Sequence, residues 1–346
     1  PLLQAVEQHI QPDDGSARAR SWRGGAAIVR AITASKTGDV REIIQQSRLA
    51  LELLPKDNPV DRALRLTAGY FLGTGYVIRG DLTQAGETFV EAADLARAEE
   101  VPFSAAMSLG EVARLCLIRG QLHRAADLYG ECQQLATSPE GLALPWMSIA
   151  NVGMGRLRYE WNELDRARDL LNEVIRHGNG WSSPDTMFAG YTAHSLLRQA
   201  QGDLDGSGMA LREAESVLQT RQVRPDVRRE WEIRQSRWLL SQGDTSKARR
   251  WLPKRELAPQ EIPSFEQESA YILSARVLIA QHDYEAALDQ LVPLANGAEA
   301  GGRSGRLIEI LILQALALQA RGDTVQAVTF LGQALSYAEP EGYTRI

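Results

Sequence analysis

Cysteine, aromatic residues and basic charge are all scarce in this chain, and each shortage removes a class of explanation. Two cysteines, Cys116 and Cys132, exclude a disulfide framework and any zinc site built on four thiolates. As an isolated pair they read as small buried hydrophobes. Lys and Arg number 38 against 44 Asp and Glu, a net charge of −6, and no basic stripe is visible. The composition therefore gives no electrostatic reason for direct contact with nucleic acid. The opening PLLQAVEQHI lacks the charged-then-apolar order of a signal peptide. The longest apolar run, Ile308 to Leu318, carries Glu309 and Gln314 and falls short of the roughly 20 residues that span a bilayer. A cytoplasmic location is the expectation. The start at Pro1 and the end at EGYTRI mark the chain as an expected fragment of a longer protein.

Catalytic signatures are missing too. TASKTGD (33–39) contains Lys-Thr without the glycines of a phosphate loop, and GTGYVIRG (73–80) has the wrong spacing for a dinucleotide fingerprint. H-E-x-x-H, G-x-S-x-G and C-x-x-C do not occur. The five histidines are scattered without metal-ligand spacing. No acid–base pair emerges, so the chain is expected to be neither an enzyme nor the holder of a metal or cofactor.

What the chain does have is an internal repeat. A small or polar residue, usually followed by an acid and then Ala five residues after the first position, recurs at Gly38, Gly80, Gly120, Asn162, Gly202, Gly243, His282 and Gly322. The spacings are 42, 40, 42, 40, 41, 39 and 40. Seven residues before each of these joints stands a small residue, from Ala31 and Gly73 to Ala275 and Ala315, which lets a second helix lie close. Five after the joint, six copies have Ala, with Ile43 and Ser207 the exceptions. Nine after it, seven of eight carry a large hydrophobe able to plug the groove between hairpins, as Phe89, Leu252 and Leu331 do. Each unit reads as helix A, a turn at the joint, and helix B, with the joint in a left-handed C-cap and the following Asp capping helix B. Pro59, Pro102, Pro145, Pro184, Pro225 and Pro263 fall where helix A should start.

The columns match the tetratricopeptide (TPR) pattern, most closely in Leu72, Gly73, Tyr76, Ala85, Phe89 and Ala92. The period of about 40 exceeds the usual ~34 of that repeat. The extra residues are expected between helix B and the next helix A, as in HGNGWSS (177–183) and NGAEAGGRSG (296–305). The expected fold is all-α, a right-handed superhelical solenoid of about eight TPR-like hairpins. Residues 1–20 read as a linker or partial preceding helix, and 21–346 as a single repeat domain.

Six residues before the joint, the column facing the concave side holds Arg114, Arg156, Arg237 and Arg276, a concentration of guanidiniums unusual for an acidic chain. Glu230 and Glu309 stand thirteen before their joints on the same face, with Ser269 between them in that column. Tyr70, Tyr159 with the adjoining Glu160, Trp161, Trp231 and Trp238 lie on A helices and offer stacking surfaces. Two readings of these residues stay open. Arg suits carboxylates, phosphates or sugar hydroxyls, so the column could bind an effector or peptide. The same arginines could instead pair with acids of a following hairpin, and the aromatics could serve inter-repeat packing.

GRLRYEWNELDRARDLLNEVI (155–175), ALELLPKDNP (50–59) followed by YVIRGDLTQA, and the terminal ALSYAEPEGYTRI (334–346) resemble the central region of MalT-type large LuxR-family transcription regulators. The resemblance covers nearly the whole chain. It implies a parent protein with an N-terminal STAND ATPase module and a C-terminal helix-turn-helix. In such a protein the repeat region senses an inducer and controls ATP-dependent self-association. Partners would be a small-molecule inducer or a regulatory protein, together with the flanking domains. ATP would belong to the parent, and neither hydrolysis nor promoter binding is expected of this chain alone. An isolated fragment would be mostly monomeric. A TPR scaffold for a partner protein or peptide is the alternative.

Overall fold

A computed structural model of the chain describes residues 15–181, 183–220, 223–253 and 261–345. Sixteen α-helices and no strand occur among the described residues. They pair as α1 (Ala17–Thr37) with α2 (Val40–Leu53), α3 (Pro59–Arg79) with α4 (Leu82–Ala98), and α5 (Pro102–Ile118) with α6 (Leu122–Leu135). Next come α7 (Met147–Glu160) with α8 (Leu164–Trp181), α9 (Pro184–Ala200) with α10 (Leu204–Thr220), and α11 (Pro225–Ser241) with α12 (Thr245–Ala248). The series ends with α13 (Phe265–Ala280) and α14 (Tyr284–Ala300), then α15 (Ser304–Arg321) and α16 (Thr324–Ala338). Four of the six flagged prolines are the first residue of their A helix, and Pro145 and Pro263 precede theirs by two. Of the segment 1–20, residues 1–14 lie outside the described residues and Ala17 to Arg20 form the first turn of α1.

The joints are built as the repeat dictates. All eight have positive φ, from 60° at Asn162 and 65° at His282 to 94° at Gly322. Glycine takes that left-handed conformation without a Cβ clash, and Asn is the next best tolerated. In every copy the N–H after the joint reaches back to a carbonyl in the last turn of helix A, from Asp39 to Ala34 through Asp323 to Leu318. This Schellman-type bond satisfies an otherwise orphaned acceptor. The side chains of Asp39, Asp81, Asp203, Asp244, Asp283 and Asp323 then each accept the N–H three residues on and cap helix B.

Packing across each hairpin follows from the small columns. A Cβ on Gly73 would fall 2.7 Å from the Phe89 ring, and one on Gly155 would fall 2.9 Å from Leu171. The hydrophobe nine after the joint therefore occupies the space vacated seven before it. Ser207, an exception in the Ala column, is matched by Ser195, and the two buried hydroxyls hydrogen-bond at 2.8 Å. Trp231 and Trp238 on α11 donate their indole N–H groups to the Leu211 and Leu204 carbonyls of α10, so both serve inter-hairpin packing. Neither Cys116 nor Cys132 forms a disulfide and both are buried; Cys116 lies in the core around Tyr129, where burial pushes its thiol up.

Three expectations need correction. The B helix of hairpin six is only α12, followed by a short 3-10 turn (Arg249–Trp251), because Leu252 is held extended ahead of Pro253. The residues that lengthen the period are largely absorbed into helices: α8 runs to Trp181 and α14 to Ala300. Tertiary contact overrides the weak helix propensity of NGAEAGG, since Arg303 donates to the Gly297 carbonyl and Ile262 lies against Gly297. Leu331 plugs no groove and is 44% exposed, because α16 is the last described helix and no later hairpin covers it.

The helices cluster as two compact units, one running to Val112 with Arg224–Asp226, the other comprising Ala113–Val223 and the residues from Val227 onward. In the first, Ala27, Ile28, Ala50, Leu54 and Ala68 form a core between α1, α2 and α3. In the second, residues beyond α16 cross back to hairpins three and four. Trp161 donates to the Glu341 carbonyl at 2.9 Å, and the Thr344 and Arg345 N–H groups both donate to the Glu160 carbonyl. The Glu341 carboxylate accepts the His123 N–H, and Tyr343 packs into the core around Tyr129. This segment, 341–345, is a strap that joins the end of the second unit to its beginning.

Candidate functional site

The inner face of the second unit carries an open cavity of about 440 Å³. Leu196, Arg237, Arg276 and Leu316 line it, which are the residues six before the joint in hairpins five to eight. So do Tyr159, Gln199, Leu240 and Ile279, three before the joint in hairpins four to seven. Residues three apart share one helix face, so one stripe per A helix builds the wall. Leu313 and the strap residue Arg345 line it as well, with the small residues Ala200, Ser241 and Ala280 between them.

At the foot of the wall Glu309 collects three guanidiniums. Its Oε1 accepts from Arg276 at 2.8 Å and from Arg237 at 3.2 Å, and Oε2 accepts from Arg306 at 3.2 Å. The Glu309 side chain is 7% exposed, while Arg237 and Arg276 keep 25% and 24% of their surface open. Burial works to raise the Glu309 carboxyl, but Arg237, Arg276 and Arg306 together outweigh it and hold the acid well below the usual carboxylate range. Arg306 also donates to Ser269 Oγ, the residue that interrupts the acidic column.

Glu160 behaves oppositely. Burial pushes its carboxyl up to about 7, against the pull of Arg156 on its own helix and of Arg234 and Arg237 on α11. Its Oε2 is buried without a hydrogen-bond partner. Glu309 from α15 opposes its ionisation, and the Tyr343 hydroxyl of the strap is raised first by its own burial and then by Glu160 and Glu341. Arg234 is pushed down to about 10, first by burial and second by Arg237. A group whose folded pKa lies above its unfolded value contributes stability at low pH and loses it as pH rises through the folded value. Ionising Glu160 between about pH 4.5 and 7 is thus expected to cost roughly 3 kcal/mol. Glu160→Gln should remove that loss, narrowing the gap between melting temperatures at pH 5 and pH 8. An unchanged gap would refute the assignment.

The structure brings Arg156, Tyr159, Glu160, Arg237, Arg276 and Glu309 into one neighbourhood, with Glu230 acting on Arg234 at its edge. Arg114 does not line the cavity, and Tyr70 lies in the first unit, packed against Phe71 and Phe89 with its hydroxyl 3.4 Å from Glu111. The ion-pair reading of the arginine column is met at two of its positions. Arg237 and Arg276 do pair with an acid of a later hairpin, and they still present surface to the cavity. Sequence reasoning missed Arg234, Arg306 and Arg345. Arg234 is three residues before Arg237 and so shares its face, a signal that was legible; Arg345 reaches the cavity only through the strap.

The first unit has a wider groove of about 1030 Å³, lined by Trp22, Val29, Val60 and Leu64 among others. Its buried acid, Asp61, is already engaged by the Ser21 hydroxyl at 2.7 Å and 2.8 Å. The groove offers apolar surface with less convergent charge than the second unit. Among the described residues no His, Cys, Asp and Glu cluster could hold a metal ion, and no helix is long and apolar enough to cross a membrane.

Comparison with known proteins places these features. The family model described as the MalT-like TPR region matches residues 24–346. The HTH-type transcriptional regulator MalT of Serratia proteamaculans (strain 568) is 23% identical over 298 residues, which cover 84% of this chain and 32% of that regulator. The chain therefore spans about a third of the length of the curated relative it matches. Among solved structures, a Rap protein complexed with Competence and Sporulation Factor superposes with a TM-score of 0.68 at 11% identity, over 98% of this chain and 92% of that one. The apo quorum sensor NprR from B. thuringiensis gives 0.54 at 9% identity, over 97% and 91%. At such identities the likeness is one of fold, the helical-repeat solenoid. With the family model spanning the eight joints, the capped turns and the strap alike, the chain belongs to the family of MalT-like TPR regions.

Proposed function

We propose that this chain is the signal-sensing region of a MalT-type transcription regulator and that the cavity of the second unit is its effector site. The observation that carries this reading is the wall itself: hairpins four to eight each contribute to one cavity of about 440 Å³, and the strap adds Arg345 to it. That volume lies in the range of small-molecule sites, roughly 300–1,000 Å³, and combines apolar wall with a few convergent charges as such sites do. The segment carrying Arg345 also holds hairpin four, so occupancy of the cavity would act on the contact that closes the unit. In the parent protein, nucleotide turnover and promoter binding would belong to other modules, and this chain would carry no catalysis.

The test is a thermal-shift screen of the chain against oligosaccharides, nucleotides, organic acids and aromatic metabolites. A ligand at about 100 times its dissociation constant adds roughly 2.7 kcal/mol to the folded state. A hit that is lost in Arg276→Gln supports the reading; a blank screen alongside a stoichiometric protein partner overturns it. A second reading, docking of a partner protein or peptide, is favoured by one feature. Val325, Val328 and Leu335 form an exposed apolar stripe on α16, between 58% and 80% exposed. The Rap protein of plasmid pLS20 in complex with the Phr* peptide, with a TM-score of 0.57 at 16% identity over 92% of this chain and 95% of that one, has a related fold.

A further inference from the structure

Resting on the reading of the cavity as an effector site, we propose that its ligand is a small organic anion, an oxyanion group carried on an apolar body. The oxyanion would bridge Arg237 and Arg276 of the wall to Arg345 of the strap. The chemistry of the lining divides in two. Leu196, Leu240, Ile279, Leu313 and Leu316 supply an apolar wall, and Arg237, Arg276 and Arg345 are the formally charged residues that line the cavity with them.

The local charge is not balanced. Six arginines (156, 234, 237, 276, 306 and 345) act on this neighbourhood against Glu160, Glu230 and Glu309 and, on the strap, Glu341, so that guanidiniums outnumber carboxylates. Glu309 cannot neutralise the three guanidiniums it touches, because one negative charge faces three positive ones. Arg276 keeps a buried Nε–H with no acceptor. The charged groups that line the cavity are thus all guanidiniums, and an oxyanion is the group that matches a cluster of guanidinium forks. Protonation of Glu160 enlarges the excess, since it removes one of those acids.

Arg345 links the site to the strap. Its Nε donates to Asn162 Oδ1 at 2.6 Å, its guanidinium lies 6.0 Å from the Tyr159 ring centroid, and its backbone N–H is one of the two that fasten the strap to Glu160. An anion held between Arg345 and the wall would tie the strap to hairpins six and seven. Strap closure and ligand binding would then be one equilibrium.

The test uses the full chain and three probes of one shape: 3-phenylpropionate, phenyl phosphate and the neutral 3-phenylpropanamide. Calorimetric titration is expected to give binding of the charged probes at least about tenfold tighter than the amide, weakening with added salt. The two charged probes separate a carboxylate from a phosphate ligand. Arg345→Gln, outside the helical core, should narrow the preference for acid over amide several-fold, with Arg237 and Arg276 keeping the remainder. Hydrogen exchange at the Thr344 and Arg345 amides should slow when the charged probe is bound. Equal affinity for acid and amide, or tight binding that ignores Arg345→Gln, would overturn the proposal. If neutral oligosaccharides bind the cavity and anions do not, the anion assignment fails and the effector site stands; if no probe or metabolite enters the cavity, both fail.

Discussion

Glu309→Gln is expected to destabilise the second unit by about 3 kcal/mol, and to do so less at high salt. Removing one partner from a buried ion cluster typically costs ~3–5 kcal/mol, most of it from the charges left behind. Here Arg237, Arg276 and Arg306 would be left facing one another around a neutral amide. The lower end of the range applies because Arg237 and Arg276 remain about a quarter exposed and can be solvated. Chloride at high concentration should recover part of the loss, since the residual term is repulsion among like charges reached by solvent. Urea unfolding of the variant against the parent, at low and high salt, makes the measurement. A difference within about 0.5 kcal/mol would mean that the cluster contributes nothing net. Glu309→Gln should also tighten binding of an anionic probe, so loss of stability and gain of affinity are expected in the same variant.

The second large effect lies away from the cavity. Arg303→Met is expected to cost about 4 kcal/mol, because Glu268 is then buried without its counter-ion. The pair is close and forked, with Arg303 Nη2 2.8 Å and Nε 3.1 Å from Glu268 Oε1, and the two side chains are 11% and 2% exposed. Arg303 also donates to the Gly297 carbonyl at 2.7 Å, so it fastens the end of α14 to the start of α13. Glu268→Met together with Arg303→Met should restore most of the loss, since an apolar pair of similar volume removes the stranded charge. Equal destabilisation in the single and double variants would show that packing or the Gly297 bond, and not the charge, dominates. Salt should matter far less here than at Glu309, because neither partner is open to solvent.

The difference between these two acids also marks how far the sequence could be read. Glu309 was visible as one acid in a column of A-helix positions, and its sharing among three guanidiniums was not. Arg237 is 72 residues from it and Arg276 is 33. Glu268 and Arg303 carried no signal, because neither falls in a repeated column. The arginine column itself was legible, because one position per A helix repeats at the period of the hairpin. Its neighbours three residues later were legible in principle by the same helix-face argument. Arg345 was not, since nothing local to EGYTRI shows that the strap returns to Asn162, 183 residues earlier.

By itself the sequence determined the period, the eight turns, the starts of the A helices and the small columns that let each pair of helices close. Those features are decided within about 20 residues by the left-handed conformation of Gly, by Asp capping the next helix and by side-chain volume, all short-range effects that each copy states again. Tertiary structure alone decided that Gly-rich stretches would continue as helix, and that a Glu160 oxygen would be buried while Glu309 gathered arginines. The physical reason is accumulation: each hairpin is placed by its neighbour, and the position of α15 relative to α7 is the sum of several small rotations that no single repeat contains. The strap converts that sum into direct contact, and with it the cavity acquires its third lining arginine.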